Sequence, residues 1–191
     1  MTKEEYMINL ENLIGLMDSD DRVLHPEFEK HYIYNLLNNH LDNLDEAKQL
    51  LLNQSEKKYN DRMKKAQSID EEKFAALMYK RSLALIEEAY SRFIMWNKER
   101  NNPNVQDAEY ATVKLSNAQN DLLFATTQYN LLKLLCSENV QVFNLTIDIN
   151  EYGRELQEFE IKKEEAKNFV ATCKDNYDLV INSSSNVNTR Q

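Results

Sequence analysis

Residues 104–180 read NVQDAEYATVKLSNAQNDLLFATTQYNLLKLLCSENVQVFNLTIDINEYGRELQEFEIKKEEAKNFVATCKDNYDLV. How many helices this run makes decides the fold. It holds no proline and a single glycine, Gly153. Leu115, Ala118, Leu122, Ala125, Tyr129 and Leu132 recur at alternating steps of three and four, which keeps one stripe turned toward a partner helix. A second stripe runs from Val142 through Leu145, Ile149, Tyr152, Leu156 and Phe159. It continues through Ala166, Val170, Cys173, Tyr177 and Val180, and Lys163 is its one polar position. The two stripes are out of phase near Leu135. Such a shift either overwinds a continuous helix or marks a break. No Gly or Pro stands at Ser137-Glu138-Asn139, so one helix on the order of 115 Å long is the expectation. A break there, with Ser137 capping a second helix, is the alternative.

Working back toward the amino terminus, Asn101-Asn102-Pro103-Asn104 carries helix-stop and helix-start signals together. Before it, Ser68-Ile69-Asp70-Glu71 is a capping box. It opens a helix with Ala76, Tyr79, Leu83, Ile86, Tyr90 and Phe93 on one face, closed by the only tryptophan, Trp96. Pro26 suits the first position of an earlier helix, because its missing N–H would have no intrahelical acceptor there. Ile33, Leu37, Leu41, Leu44 and Leu51 predict that this helix runs on over 26–66, solvated on both faces after Leu52. Thr2 and Glu5 cap a short amphipathic helix over 3–17, stopped by the acidic turn Asp18-Ser19-Asp20-Asp21.

The expected organisation is therefore an amino-terminal helix and acidic turn (1–21), a helical bundle domain (22–181) and a flexible polar tail (182–191). The fold class is all-α. Its expected form is an elongated antiparallel bundle or coiled coil with a very long carboxy-terminal helix. With a break at Ser137 it becomes a compact up-down four-helix bundle plus the small first helix. Two glycines and two prolines in 191 residues are too few for a turn-rich β fold or for tight phosphate loops.

Charge narrows the function. The net charge of −9 argues against nucleic-acid binding, which needs a basic face. The distribution is uneven. Residues 1–55 hold 4 basic and 11 acidic side chains, 56–100 hold 11 and 8, and 101–191 hold 8 and 13. The basic middle supplies Lys57, Lys58, Arg62, Lys64, Lys65, Lys98 and Arg100 as candidate contacts for an acidic partner or a membrane surface. No apolar stretch of 18 residues suggests a transmembrane segment, and the start of the chain lacks a signal-peptide core. A cytoplasmic location is the expectation.

Motifs for chemistry are absent from the sequence. His25, His31 and His40 stand in neither Glu-x-x-His nor His-x-x-x-His spacing. Glu27 and His31 are a surface pair rather than a metal site. Nothing matches Gly-x-Ser-x-Gly, Gly-x-x-x-x-Gly-Lys or Cys-x-x-Cys. Glu155, Glu158, Glu160, Glu164 and Glu165 form a solvated helix flank. Cys136 and Cys173 read as reduced thiols packed as small apolar groups. No cofactor or metal is expected.

The stretch Ala118–Tyr152, with Asn-Asp-Leu-Leu, Gln-Tyr-Asn-Leu-Leu-Lys-Leu-Leu and Val-Gln-Val-Phe-Asn-Leu-Thr-Ile-Asp-Ile, resembles the last helix of BAR domains. The order of helices, charged section and Asn-Pro turn is similar too. That resemblance implies a curved antiparallel dimer that binds or shapes membranes. The residues themselves point first to a non-enzymatic helical scaffold or adaptor for protein–protein interaction, associating as an antiparallel homodimer.

Overall fold

The computed structural model describes residues 26–101, 108–145 and 147–188. The expected first helix over 3–17, the acidic turn and Asn102-Pro103-Asn104 lie outside them. Five helices make up the described structure: α1 (Pro26–Asn38), α2 (Leu44–Lys65), α3 (Ile69–Asn101), α4 (Ala108–Leu135) and α5 (Ile149–Asn188). There is no strand among the described residues, and the fold is an all-α helical bundle.

Side-chain pairings fix the directions. Asp45 meets Tyr90, Lys48 meets Glu87 and Tyr59 stacks on Tyr79, so α2 runs antiparallel to α3. Arg81 meets Gln128 and Arg92 meets Asp121, so α4 runs antiparallel to α3. Phe124 meets Phe159 and Lys114 lies near enough to Cys173 to act on its thiol, so α5 runs antiparallel to α4. Lys163, the polar position of the second stripe, lays its ammonium 4.2 Å from the centre of the Tyr129 ring on α4. α1 lies against both α2 and α3, whereas α5 packs chiefly on α4.

Two apolar clusters hold the bundle. Ile33, Leu36, Leu37, Ala47, Leu51, Leu85, Ile86, Ala89 and Phe93 join α1, α2 and α3. Phe74, Met78, Leu131, Leu132, Leu135, Val142, Tyr152 and Phe159 join α3, α4, α5 and the segment between the last two. Phe124 packs against both.

Three expectations are corrected. The run 104–180 is not one helix. α4 stops at Leu135 and α5 starts at Ile149. Glycine is not required for the interruption because Asn139 and Asn144 take positive φ (62° and 61°), a region asparagine tolerates well. Ser137 does not cap the new helix. Its hydroxyl donates to the Lys133 carbonyl of α4, and Asp148 caps α5 by accepting from the Asn150 and Glu151 N–H groups. Ile149, assigned to the stripe, is 61% exposed.

Next, 26–66 is two helices. The chain reverses at residues 39–43, leaving Leu41 half exposed so that Ala47 and Leu51 can fold back on Leu36 and Leu37. Finally, α5 runs to Asn188, through most of the polar segment read as a tail. Ser183 accommodates the helix by donating its hydroxyl to the Leu179 carbonyl.

The capping box at Ser68 forms with a variation. The Glu71 N–H donates to Ser68 Oγ at 3.1 Å, but the Glu71 carboxylate accepts from the N–H of Gln67, one residue earlier than the motif describes.

Candidate functional site

Three features stand out from ordinary packing. The first is a layer of charge between α1, α3 and α4. Arg81 is 1% exposed, donates to Gln128 Oε1 at 3.0 Å and reaches Glu29 Oε2 at 3.3 Å. Ser82 also donates to Glu29. Two turns along α3, Glu88 is as deeply buried and accepts from Arg92 Nε at 2.9 Å, with Lys30 Nζ at 3.6 Å. Arg92 also reaches Asp121 of α4 at 3.3 Å. Burial, the nearby Glu88 charge and a hydrogen bond with Glu88 push the Asp121 carboxyl up to about 7, against the opposing pull of Arg92 and Lys30. The same surroundings, burial first and Glu88 next, raise the Tyr34 hydroxyl well above its ordinary value. Most of these groups pair with one another across helices, although Arg81 Nε and Glu88 Oε2 are buried without a hydrogen-bond partner, which fits the layer for specifying how the helices register.

The second feature is a cleft of about 710 Å³ at the end of α2. Lys58, Asp61, Arg62, Lys64 and Lys65 stand on one side, Phe143, Asn144 and Leu145 on the other, with Glu71 and Phe74 of α3 between them. The Phe143 N–H donates to Glu71 Oε1 at 3.1 Å, which ties the turn to α3.

The seven cations singled out in the sequence do not gather in one place. Lys58, Arg62, Lys64 and Lys65 line this cleft, and Lys57 is exposed beside it. Lys98 and Arg100 sit in the last turn of α3, at the far end from Glu71 and about 40 Å along the helix axis.

The third feature is the outer side of α5. Tyr152, Leu156, Phe159, Ala166, Val170, Cys173, Tyr177 and Val180 turn inward or are partly covered, as the stripe predicts. On the opposite side Ile161 (61%) and Leu179 (67%) are exposed, and Phe169 (47%) is exposed on the flank of the stripe.

Neither cysteine is in a disulfide. Burial raises both thiols above their ordinary value, opposite to what a reactive cysteine requires. Among the described residues no group of three or more His, Cys, Asp or Glu side chains is placed to hold a metal ion, and no helix is long and apolar enough to cross a membrane. Glu29, Arg81, Glu88, Asp121 and Gln128 were not marked by sequence reasoning, which followed one apolar stripe per helix. α3 and α4 each have two buried sides, and their second side carries the polar residues.

Compared with known proteins, the chain matches no family model, no curated protein and no solved structure.

Proposed function

We propose that this chain is a non-enzymatic helical scaffold that pairs with a second copy of itself, and so presents its helices to protein partners. The observation that carries the reading is the outer side of α5. This helix is 40 residues long, packs chiefly on α4 and leaves Ile161, Phe169 and Leu179 in solvent. Ile161 and Leu179 are eighteen residues apart, a whole number of helical turns, so they share a side. They are also equidistant from Val170, next to Phe169. An antiparallel pair related by a two-fold axis near that residue sets Ile161 of one copy against Leu179 of the other, the self-complementary pattern of the commonest oligomers. Light scattering on the pure protein at micromolar concentration tests it. The expected mass is near twice 22.5 kDa, falling to one chain in I161E/L179E with helicity unchanged. A wild-type mass of one chain overturns the pairing.

A second reading, a BAR-like dimer on membranes, draws support from the basic end of α2, where Lys57, Lys64 and Lys65 are exposed. Co-sedimentation with anionic liposomes, and its loss at raised salt, tests that reading.

A further inference from the structure

We propose that the recess between the last turns of α1 and the carboxy-terminal part of α3 binds a small uncharged heteroaromatic compound of purine size, stacked on Trp96 and held at its edge by the carboxamides of Asn35, Asn38 and Asn97. The site requires neither self-pairing nor a bilayer, and no residue of α5 lines it. Its volume is about 430 Å³, toward the small end of the range for small-ligand pockets.

Two helical faces converge on the recess. His31, Tyr34, Asn35 and Asn38 follow one another at i, i+3, i+4 and i+7 along α1, which sets them on one face, opposite the core face of Ile33, Leu36 and Leu37. Phe93, Trp96 and Asn97 repeat that spacing on α3. Leu41 and Leu44 close a third side from the turn into α2. Backbone bonds hold this turn. The Asn39 N–H donates to the Asn35 carbonyl and the His40 N–H to the Leu37 carbonyl, both at 3.1 Å, and the Asn43 N–H to the His40 carbonyl at 2.9 Å. His40 Nδ1 adds a 2.8 Å bond to the Leu36 carbonyl. The recess is therefore formed before a ligand arrives, which lowers the ordering cost of binding.

The lining pairs aromatic with amide groups. The rings of Tyr34, Phe93 and Trp96 lie 5.2 to 6.1 Å apart, centre to centre, and are tilted by 44° to 71°. They stand as the walls of a corner rather than as a closed stack. Phe93 is nearly buried, whereas Trp96 is 43% and Leu41 50% exposed. Large apolar groups left exposed around a concavity are a mark of ligand grooves. Among the described residues, nothing hydrogen-bonds to the carboxamides of Asn35, Asn38 or Asn97. Each offers two N–H donors and an acceptor oxygen, the complement of the donor and acceptor edge of a purine. Aromatic faces receive planar bases by stacking. The lining holds no Lys, Arg, Asp or Glu, so it offers no counter-charge to a phosphate or an ammonium group.

Trp96 is the only tryptophan in the chain, so its fluorescence reads this recess alone. Adenosine is the probe, titrated by that fluorescence and by calorimetry. The expected result is saturable binding with a change in Trp96 emission. Calorimetry should show affinity lowered at least about tenfold in N35A/N97A and about fivefold in W96A, with helicity unchanged in both. Absence of saturable adenosine binding overturns the proposal, and so does binding that either variant leaves intact. Decaproline, an extended peptide that also suits aromatic grooves, is the comparison. A saturable Trp96 response to decaproline without one to adenosine overturns the proposal and assigns the recess to a peptide.

Discussion

Asp121 of α4 and Glu88 of α3 meet as two hydrogen-bonded carboxyl groups in the interface between their helices. Glu88 Oε2 is buried and receives no N–H donor, and a proton kept on Asp121 gives this pair the O–H it needs. Lys30 and Tyr34 face the pair from α1 and Arg92 from α3. Asp121 titrates near 7 when folded and near 3.8 as a free side chain. The folded state therefore holds a proton that the unfolded chain releases, and this group's contribution falls as pH rises from about 4 to about 7, then levels off. Asp121→Asn removes the titration. The stability of wild type relative to D121N should decline between about pH 4 and pH 7 and change little above that, read from urea midpoints. A constant difference would show that Asp121 ionises like an exposed carboxylate.

Leu132 is fully buried in the cluster that joins α3, α4 and α5. Leu132→Ala should cost about 2–5 kcal/mol in denaturant unfolding, since the loss combines transfer and cavity terms. Leu123 on the same helix is 36% exposed, and Leu123→Ala should cost well under half as much.

Arg81 lies at the centre of the charged layer. Arg81→Ala leaves Gln128 without this buried donor and Glu29 without its guanidinium, and should cost about 3 kcal/mol. Adding Gln128→Leu to Arg81→Ala should recover part of that loss, because both members of the buried hydrogen bond are then apolar. A double-mutant cycle between the two positions reads the effect as non-additivity.

At Asn144 the backbone is left-handed, with φ at 61°. Asn144→Gly should be close to neutral. Asn144→Val should destabilise by about 1–2 kcal/mol, because a β-branched side chain clashes there. Equal thermal midpoints for the two variants would contradict the turn geometry.

The sequence made the inward side of α5 legible from Tyr152 to Val180, because that helix has one main neighbour and its apolar residues trace a single stripe. α3 was harder to read. Tyr79, Leu83, Ile86, Tyr90 and Phe93 mark one side, but Phe74, Met78, Ala84, Leu85 and Ala89 are buried as well, and Ala76 is exposed. A helix lodged between two others has no polar back, and no single period describes it. The break after Leu135 carried no proline or glycine. Its signal was the change of phase near Leu135, together with asparagines at two of the positions that turn left-handed. In the basic cleft the cations were visible as a run along α2. Their opposite wall was not, because Glu71 binds a turn seventy-two residues away in the chain.

The order of packing has a consequence for how the molecule assembles. Each described helix packs on the one before it, and the most extensive pairing out of turn, α1 on α3, skips a single helix. Partners are therefore close along the chain, and bringing them together costs little loop-closure entropy. Such sequence-local architectures fold fast for their size. The chain also emerges from synthesis in the order in which its helices can dock. The helices that share the first cluster, α1, α2 and α3, precede α4 and α5 in the chain, and Phe124 of α4 packs against both clusters.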